Sequence, residues 1–179
     1  MHRIFLVFVL VSSAASQSIV SGKCVKPEQA QENIDVAGIL GTYYQYARVI
    51  NADEYGDCST TTLGFAITTT GTVSNREVLS NGTVRTWSGS IKKIDKYTYV
   101  FDYGELKYTN YALATDKRNY ILIYSCKDVP NTSTKYVWGW ILSKTKQLSE
   151  TVQSSIEQAL IGNKDLLQAN WHYTVQANC

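Results

Sequence analysis

Tyr111-Ala112-Leu113-Ala114-Thr115-Asp116-Lys117-Arg118-Asn119-Tyr120-Ile121-Leu122-Ile123-Tyr124-Ser125-Cys126 sets two apolar, aromatic-rich runs around a short polar break at 116–119. Aromatic and β-branched residues favour strands, and a polar break of that length favours a tight turn. The stretch therefore reads as two antiparallel strands with a cysteine at the far end.

Working outward, the same strand-turn-strand pattern recurs. Residues 39–47 open a first strand, 60–70 are threonine-rich and β-branched, Gly71 reads as a break, and 72–79 follow. Asn81-Gly82 is a strong hairpin signal, because both residues tolerate the positive φ of a two-residue type I′ turn. Residues 83–94, 97–103, 107–115, 119–126 and 134–143 complete eight strands. Short strands at regular spacing predict an all-β up-and-down barrel or a sandwich, and closing a barrel removes exposed strand edges. One segment reads as helix: Ser149 can cap it, Glu150 suits the positive end of the dipole, and Val152, Ile156, Ala159 and Leu160 share a face before Gly162. Residues 26–36 read as an arm lying across other structure, and 170–176 as a final strand.

Three short motifs, in order, resemble the signatures of the lipocalin family. Thr115, Asp116 and Tyr120 match its Thr-Asp-x-x-x-Tyr hairpin. Gly41 and Tyr43 stand at its Gly-x-Trp, with tyrosine for the tryptophan that plugs the closed end. Lys144 stands where most members carry arginine. The resemblance implies an eight-stranded antiparallel barrel of the lipocalin (calycin) kind, with one C-terminal α-helix packed on the wall. It also implies a cation–π contact of Lys144 on Tyr43. Within the family the chain is most similar to the insect bilin-binding and apolipoprotein D groups.

The chain has 179 residues, 44% apolar, 18% charged and with two prolines, which describes one globular domain and excludes a disordered or collagen-like class. A net charge of +2, with no basic run interleaved with aromatics, advertises neither nucleic acid nor an anionic membrane. Residues 1–16 open with His2-Arg3, continue as an apolar run and end in small residues, which reads as a secretory signal peptide cleaved after Ser16. The apolar run is far below the ~20 residues of a bilayer span. Residues 17–179 are then the mature, secreted, extracellular domain. Its four cysteines, Cys24, Cys58, Cys126 and Cys179, are even in number and too widely spaced for a zinc or thioredoxin motif, so two disulfides are expected, with three pairings open. The resemblance implies Cys24 with Cys126 and Cys58 with Cys179. Asn81 and Asn131 begin N-glycosylation sequons on predicted turns.

An eight-stranded barrel can hold one small ligand, and its side chains alternate inward and outward. Registered by the resemblance, the inward set is Gln45, Ala47, Val49, Asn75, Glu77, Trp87, Phe101, Tyr103, Tyr108, Asn110, Ile123, Ser125, Tyr136, Trp138 and Trp140. Such a cup of aromatics with a few amides, hydroxyls and one acid suits a planar hydrophobic ligand with a polar edge. The resemblance implies a tetrapyrrole such as biliverdin as bound ligand, with no cofactor required. A fatty acid, sterol or retinoid is the alternative within binding, and a protein-interaction or defence role at the open-end loops is another class. With two histidines, one of them in the leader, no histidine triad or multi-histidine metal site can be assembled, so no enzyme is expected. Asp53 and Glu54 read as solvated turn residues. The oligomeric state is left open, a homo-oligomer being compatible with all of this.

Overall fold

The computed structural model describes residues 17–34, 37–67, 69–177 and 179. The leader expected at 1–16 lies outside them.

A short strand β1, Ile19–Ser21, precedes a 3-10 turn at Ala37–Ile39. Eight longer strands follow: β2 Gly41–Val49, β3 Asp57–Ile67, β4 Thr70–Val78, β5 Val84–Lys93, β6 Thr98–Asp102, β7 Lys107–Thr115, β8 Tyr120–Asp128 and β9 Thr134–Ser143. Helices α1 Glu150–Gly162 and α2 Lys164–Leu167 and strand β10 Trp171–Tyr173 complete the chain. Each strand from β2 to β9 pairs antiparallel with the next, and β9 returns to β2. The eight strands thus close into an up-and-down barrel. β1 adds to β9 and β10 to β2, so the two terminal segments extend the wall.

Two hairpins differ from their expected form. Gly71 lies inside β4 opposite Ile91 and does not break the strand; the turn falls earlier, where threonines on both sides disguise it. At Asn81-Gly82 only Gly82 has positive φ, Gly82 N–H donates to Leu79 O and Leu79 N–H to Thr83 O. That is a three-residue type I turn closed by a glycine bulge, in place of the two-residue type I′ turn.

At the hairpin joining β7 and β8, Asp116 Oδ1 accepts backbone N–H bonds from Arg118 at 3.0 Å, Asn119 at 2.6 Å and Tyr120 at 3.3 Å. Thr115 Oγ1 donates to Tyr120 O at 2.6 Å and accepts from Lys117 N–H at 2.9 Å. Burial pushes the Asp116 carboxyl up, but these donors outweigh it and hold the pKa below its ordinary 3.8.

Two apolar clusters share the barrel wall. One fills the closed half of the interior, with Ile34, Tyr43, Leu63, Val73, Ile91, Tyr99 and Leu142. The other lies outside, between the wall and the helices, with Val49, Leu113, Leu122, Val137, Ile156 and Leu166. Ser149 caps α1 through Val152 N–H, and Ile156 is its buried residue. Asn163 then starts α2, accepting from Leu166 N–H at 3.1 Å. Gly139 lets this layer close in: a Cβ there would stand 2.7 Å from Leu166 and 3.0 Å from Trp171. Lys135 Nζ, buried, meets Asp165 at 2.7 Å, and Tyr124 O–H donates to the same carboxylate at 2.6 Å, pinning α2 to β8 and β9.

The arm of residues 22–34 crosses the wall to the closed end. A one-residue shift in β7 between Ala112 and Ala114 frees backbone acceptors there, and Gln31 N–H donates to Ala112 O at 2.8 Å. Ile34 enters the inner cluster. Disulfides Cys24–Cys126 and Cys58–Cys179 fasten the two terminal segments to β8 and β3. At the closed end Tyr43 is fully buried, donates to Ile39 O at 2.9 Å, and has its pKa pushed up to about 12 by burial and by Asp116. Lys144 Nζ stands 3.7 Å from the Tyr43 ring centroid and donates to Leu40 O at 2.6 Å.

Candidate functional site

Strand alternation places one row of side chains from each strand inside the barrel, and above the apolar floor these rows surround a cavity of about 430 Å³. Its walls are Trp87 from β5, Phe101 and Tyr103 at the end of β6, Tyr108 and Asn110 from β7, Ile123 from β8, and Trp140 and Leu142 from β9. Thr61 and Asn75 face them from β3 and β4, and Ala52, Asp53, Glu54, Arg85, Thr86 and Leu106 line the mouth. Tyr108 is the hub: its ring meets Tyr103, Trp138 and Trp140 edge-on at centroid distances of 6.0, 5.2 and 5.7 Å. Edge-to-face contact fixes these rings while leaving other faces toward the cavity.

The mouth is shaped by the loop 51–56, which folds inward. Asn51, 1% exposed, accepts N–H bonds from Asp53 and Glu54 at 2.9 Å each, an Asx turn that aims both acids into the barrel. Glu54 Oε1 accepts from Trp140 Nε1 at 2.8 Å and Oε2 from Gln45 Nε2 at 2.6 Å. Arg48 Nη1 donates to Gln45 Oε1 at 3.0 Å and its Nε to Glu54 O at 3.2 Å. Burial raises the Glu54 pKa; the bonds from Gln45 and Trp140 and the charge of Arg48 oppose it without cancelling it. Asp53 Oδ2 accepts from Tyr108 O–H at 2.8 Å, and Arg85 donates to Asp53 O. The Tyr108 pKa rises, first through burial and then through this carboxylate.

The expected site residues divide. Asn75, Trp87, Phe101, Tyr103, Tyr108, Asn110, Ile123 and Trp140 line the cavity together. Gln45 faces inward but acts at one remove, holding Glu54. Ala47 and Val49 do not line it: the register of β2 shifts between Gln45 and Ala47, so both turn outward into the cluster beneath the helices, and Arg48 takes the inward place opposite Trp140. Glu77 does not line the cavity either. It is fully buried, accepts from the N–H groups of Gly56 at 2.8 Å and Tyr55 at 3.2 Å, and pairs with Arg85 at 2.7 Å. Ser125 is buried opposite Asn110 and Trp138 in the register, its hydroxyl donating to Thr109 O at 2.9 Å. Trp138 packs behind Tyr108, and Tyr136 packs on Trp138, both outside the lining.

Asp53 and Glu54 correct the expectation of solvated turn residues: the Asx turn brings them inside, where ring N–H and O–H groups compensate them. Arg85 and Leu142 were also missed, although each sits two residues from a wall tryptophan and so shares its face. Among the described residues no group of three or more His, Cys, Asp and Glu side chains could hold a metal ion, and His172, the one histidine among them, pairs with Asp57 at 2.9 Å away from the cavity. The arrangement can bind a flat, largely apolar molecule and meet its polar groups at the mouth.

Comparison with known proteins agrees with that geometry. A family model described as the lipocalin / cytosolic fatty-acid binding protein family matches residues 40–176. Apolipoprotein D of Macaca fascicularis is 28% identical over 95% of this chain and 91% of its own length. The bilin-binding protein of Pieris brassicae is 28% identical over 88% and 86%. Among solved structures, insecticyanin of the tobacco hornworm Manduca sexta superposes with a TM-score of 0.78 at 20% identity, covering 91% of each chain.

Proposed function

We propose that this chain, which belongs to the lipocalin / cytosolic fatty-acid binding protein family, carries a bilin such as biliverdin in its barrel. It is a carrier of small hydrophobic ligands and not an enzyme; which ligand it carries is the proposal. The observation that carries the reading is the wall of the cavity, where Trp87, Tyr103, Tyr108 and Trp140 offer flat apolar faces under a polar mouth. Conjugated rings gain burial and stacking on such faces, while carboxylates or lactam edges stay at the mouth near Arg85. The name of the Pieris brassicae relative adds support.

Secretion belongs to the same proposal. Two disulfides suit an oxidising compartment, residues 1–16 have the pattern of a signal peptide, and no helix among the described residues is long and apolar enough to cross a membrane. Asn81 and Asn131 are both exposed on turns, open to glycosylation on that route.

A specific observation favours lipid as the second reading. Below the cavity a recess of about 30 Å³, walled by Ile34, Leu63, Ile91 and Ala112, would accept the end of a hydrocarbon chain. The test is the absorption spectrum of protein from its native source, then titration of recombinant protein with biliverdin, read by Trp fluorescence. A visible band, or saturable quenching at one equivalent that Tyr108→Ala and Trp140→Ala abolish, is expected. A colourless protein that ignores biliverdin and responds to a fatty acid or sterol transfers the assignment to lipid. Silence toward all of them leaves the open-end loops as the functional surface.

A further inference from the structure

Asn110 stands where the cavity narrows into the apolar recess: with Phe101 and Ile123 it lines both. The residue is 3% exposed. Its Nδ2 donates to Tyr108 O at 3.0 Å, which fixes the amide with Oδ1 as the remaining acceptor. Among the described residues no group donates to that buried oxygen. The neighbouring amide differs: Asn75 accepts from Thr61 at 2.8 Å and donates to Tyr103 at 2.9 Å, so its needs are met within the protein. In the empty barrel water can serve Asn110. A ligand that expels that water must bring its own donor or leave a buried carbonyl unpaired, which costs binding.

We infer that the inner end of the ligand carries an N–H or O–H group that donates to Asn110 Oδ1, with only a short apolar tip beyond it in the recess. The recess, at about 30 Å³, has room for an alkyl substituent and not for a ring. Among the described residues no basic side chain lines it, so an ionised carboxylate has no counter-charge there and faces the mouth. The ligand is thereby oriented: donor and tip inward, conjugated body against the aromatic wall, anionic groups outward beside Arg85. Pyrrole or lactam N–H and alcohol O–H satisfy the requirement; a fatty acid entering tail first does not.

This orientation rests on the reading of the barrel as a ligand carrier and not on the ligand being a bilin, and the test separates the two. Dissociation constants of biliverdin, retinol and retinyl methyl ether are measured by Trp quenching on the wild-type chain and on Asn110→Leu. Expected are a roughly tenfold preference for retinol over its ether in the wild type, its disappearance in Asn110→Leu, and a roughly tenfold loss of biliverdin affinity in the variant. Discrimination between retinol and its ether without biliverdin binding would sink the bilin reading and uphold this one. Equal binding of biliverdin by wild type and Asn110→Leu, or equal binding of retinol and its ether by wild type, would overturn it, as would failure of all three probes to bind. If Asn110→Leu does not fold, Asn110→Ala withdraws the same acceptor and repeats the comparison.

Discussion

The indole Nε1 of Trp140 donates to Glu54 Oε1 at 2.8 Å, joining β9 to the loop that shapes the mouth. Because burial dominates, the Glu54 pKa in the folded chain lies above the ordinary 4.5. The native state therefore binds more protons than the unfolded chain between those two values, and stability falls as pH rises through that window. Denaturant unfolding of wild type and Glu54→Gln across pH 4–8 checks it. The wild type should lose stability relative to the variant as pH rises above about 4.5, and a difference that stays flat would show that Glu54 has an ordinary pKa.

At the closed end, Gly41 has φ +100°, and a Cβ there would sit 3.0 Å from Lys144 Nζ. Gly41→Ala combines positive-φ strain with displacement of the lysine from Tyr43, and should cost about 1–3 kcal/mol. Lys144→Ala removes the contact with Tyr43 and the bond to Leu40 O, at about 1–2 kcal/mol. Lys144→Arg should retain most of that stability, as read from urea midpoints.

Lys135 and Asp165 form a largely buried pair on the outer wall, with side chains 7% and 18% exposed. Removing one charge strands the other, so Lys135→Met should destabilise by about 3 kcal/mol. The double change Lys135→Met with Asp165→Leu should recover a large part of it. Thermal melts of the two single variants and the double variant decide whether the pair is coupled.

The disulfides should differ in what they protect. Cys58–Cys179 closes a sequence separation of 121 residues and holds the C-terminal segment beside Asp57 and Gln45, where Gln176 Nε2 donates to Gln45 O at 3.0 Å. Replacing both cysteines by alanine should cost about 2–5 kcal/mol and make the segment after β10 cleavable by limited proteolysis. Replacing Cys24 and Cys126 should instead free the arm of residues 22–34. Mass mapping of the fragments distinguishes the two outcomes.

How much of this was legible in sequence follows from where the information is local. The hairpin at Asp116 was readable because one carboxylate meets several backbone N–H groups within four residues of it. Strand alternation from Trp87 to Trp140, with its register taken from the lipocalin resemblance, carried most of the cavity wall, since a period of two needs no knowledge of distant contacts. Ala47 was misplaced because a one-residue bulge interrupts the alternation of β2 without any local signature in the sequence. Glu54 was missed because its fate depends on Gln45 and Trp140, one of them 86 residues away. Glu77 was taken for a residue of the cup because only the folded loop brings the Tyr55 and Gly56 amides over it.

The one-residue shift in β2 partitions a nine-residue strand between two engineering problems. Residues 43, 45 and 48 address the interior, while 47 and 49 address the helix-packed exterior. A library that retunes ligand choice and a library that raises thermal tolerance can therefore be written on the same strand without competing for a position. Tyr46 is the extra residue that makes this partition: deleting it would leave a regular strand, with Ala47 still opposite Ile141 on the helix side and Arg48 still opposite Trp140 in the chamber.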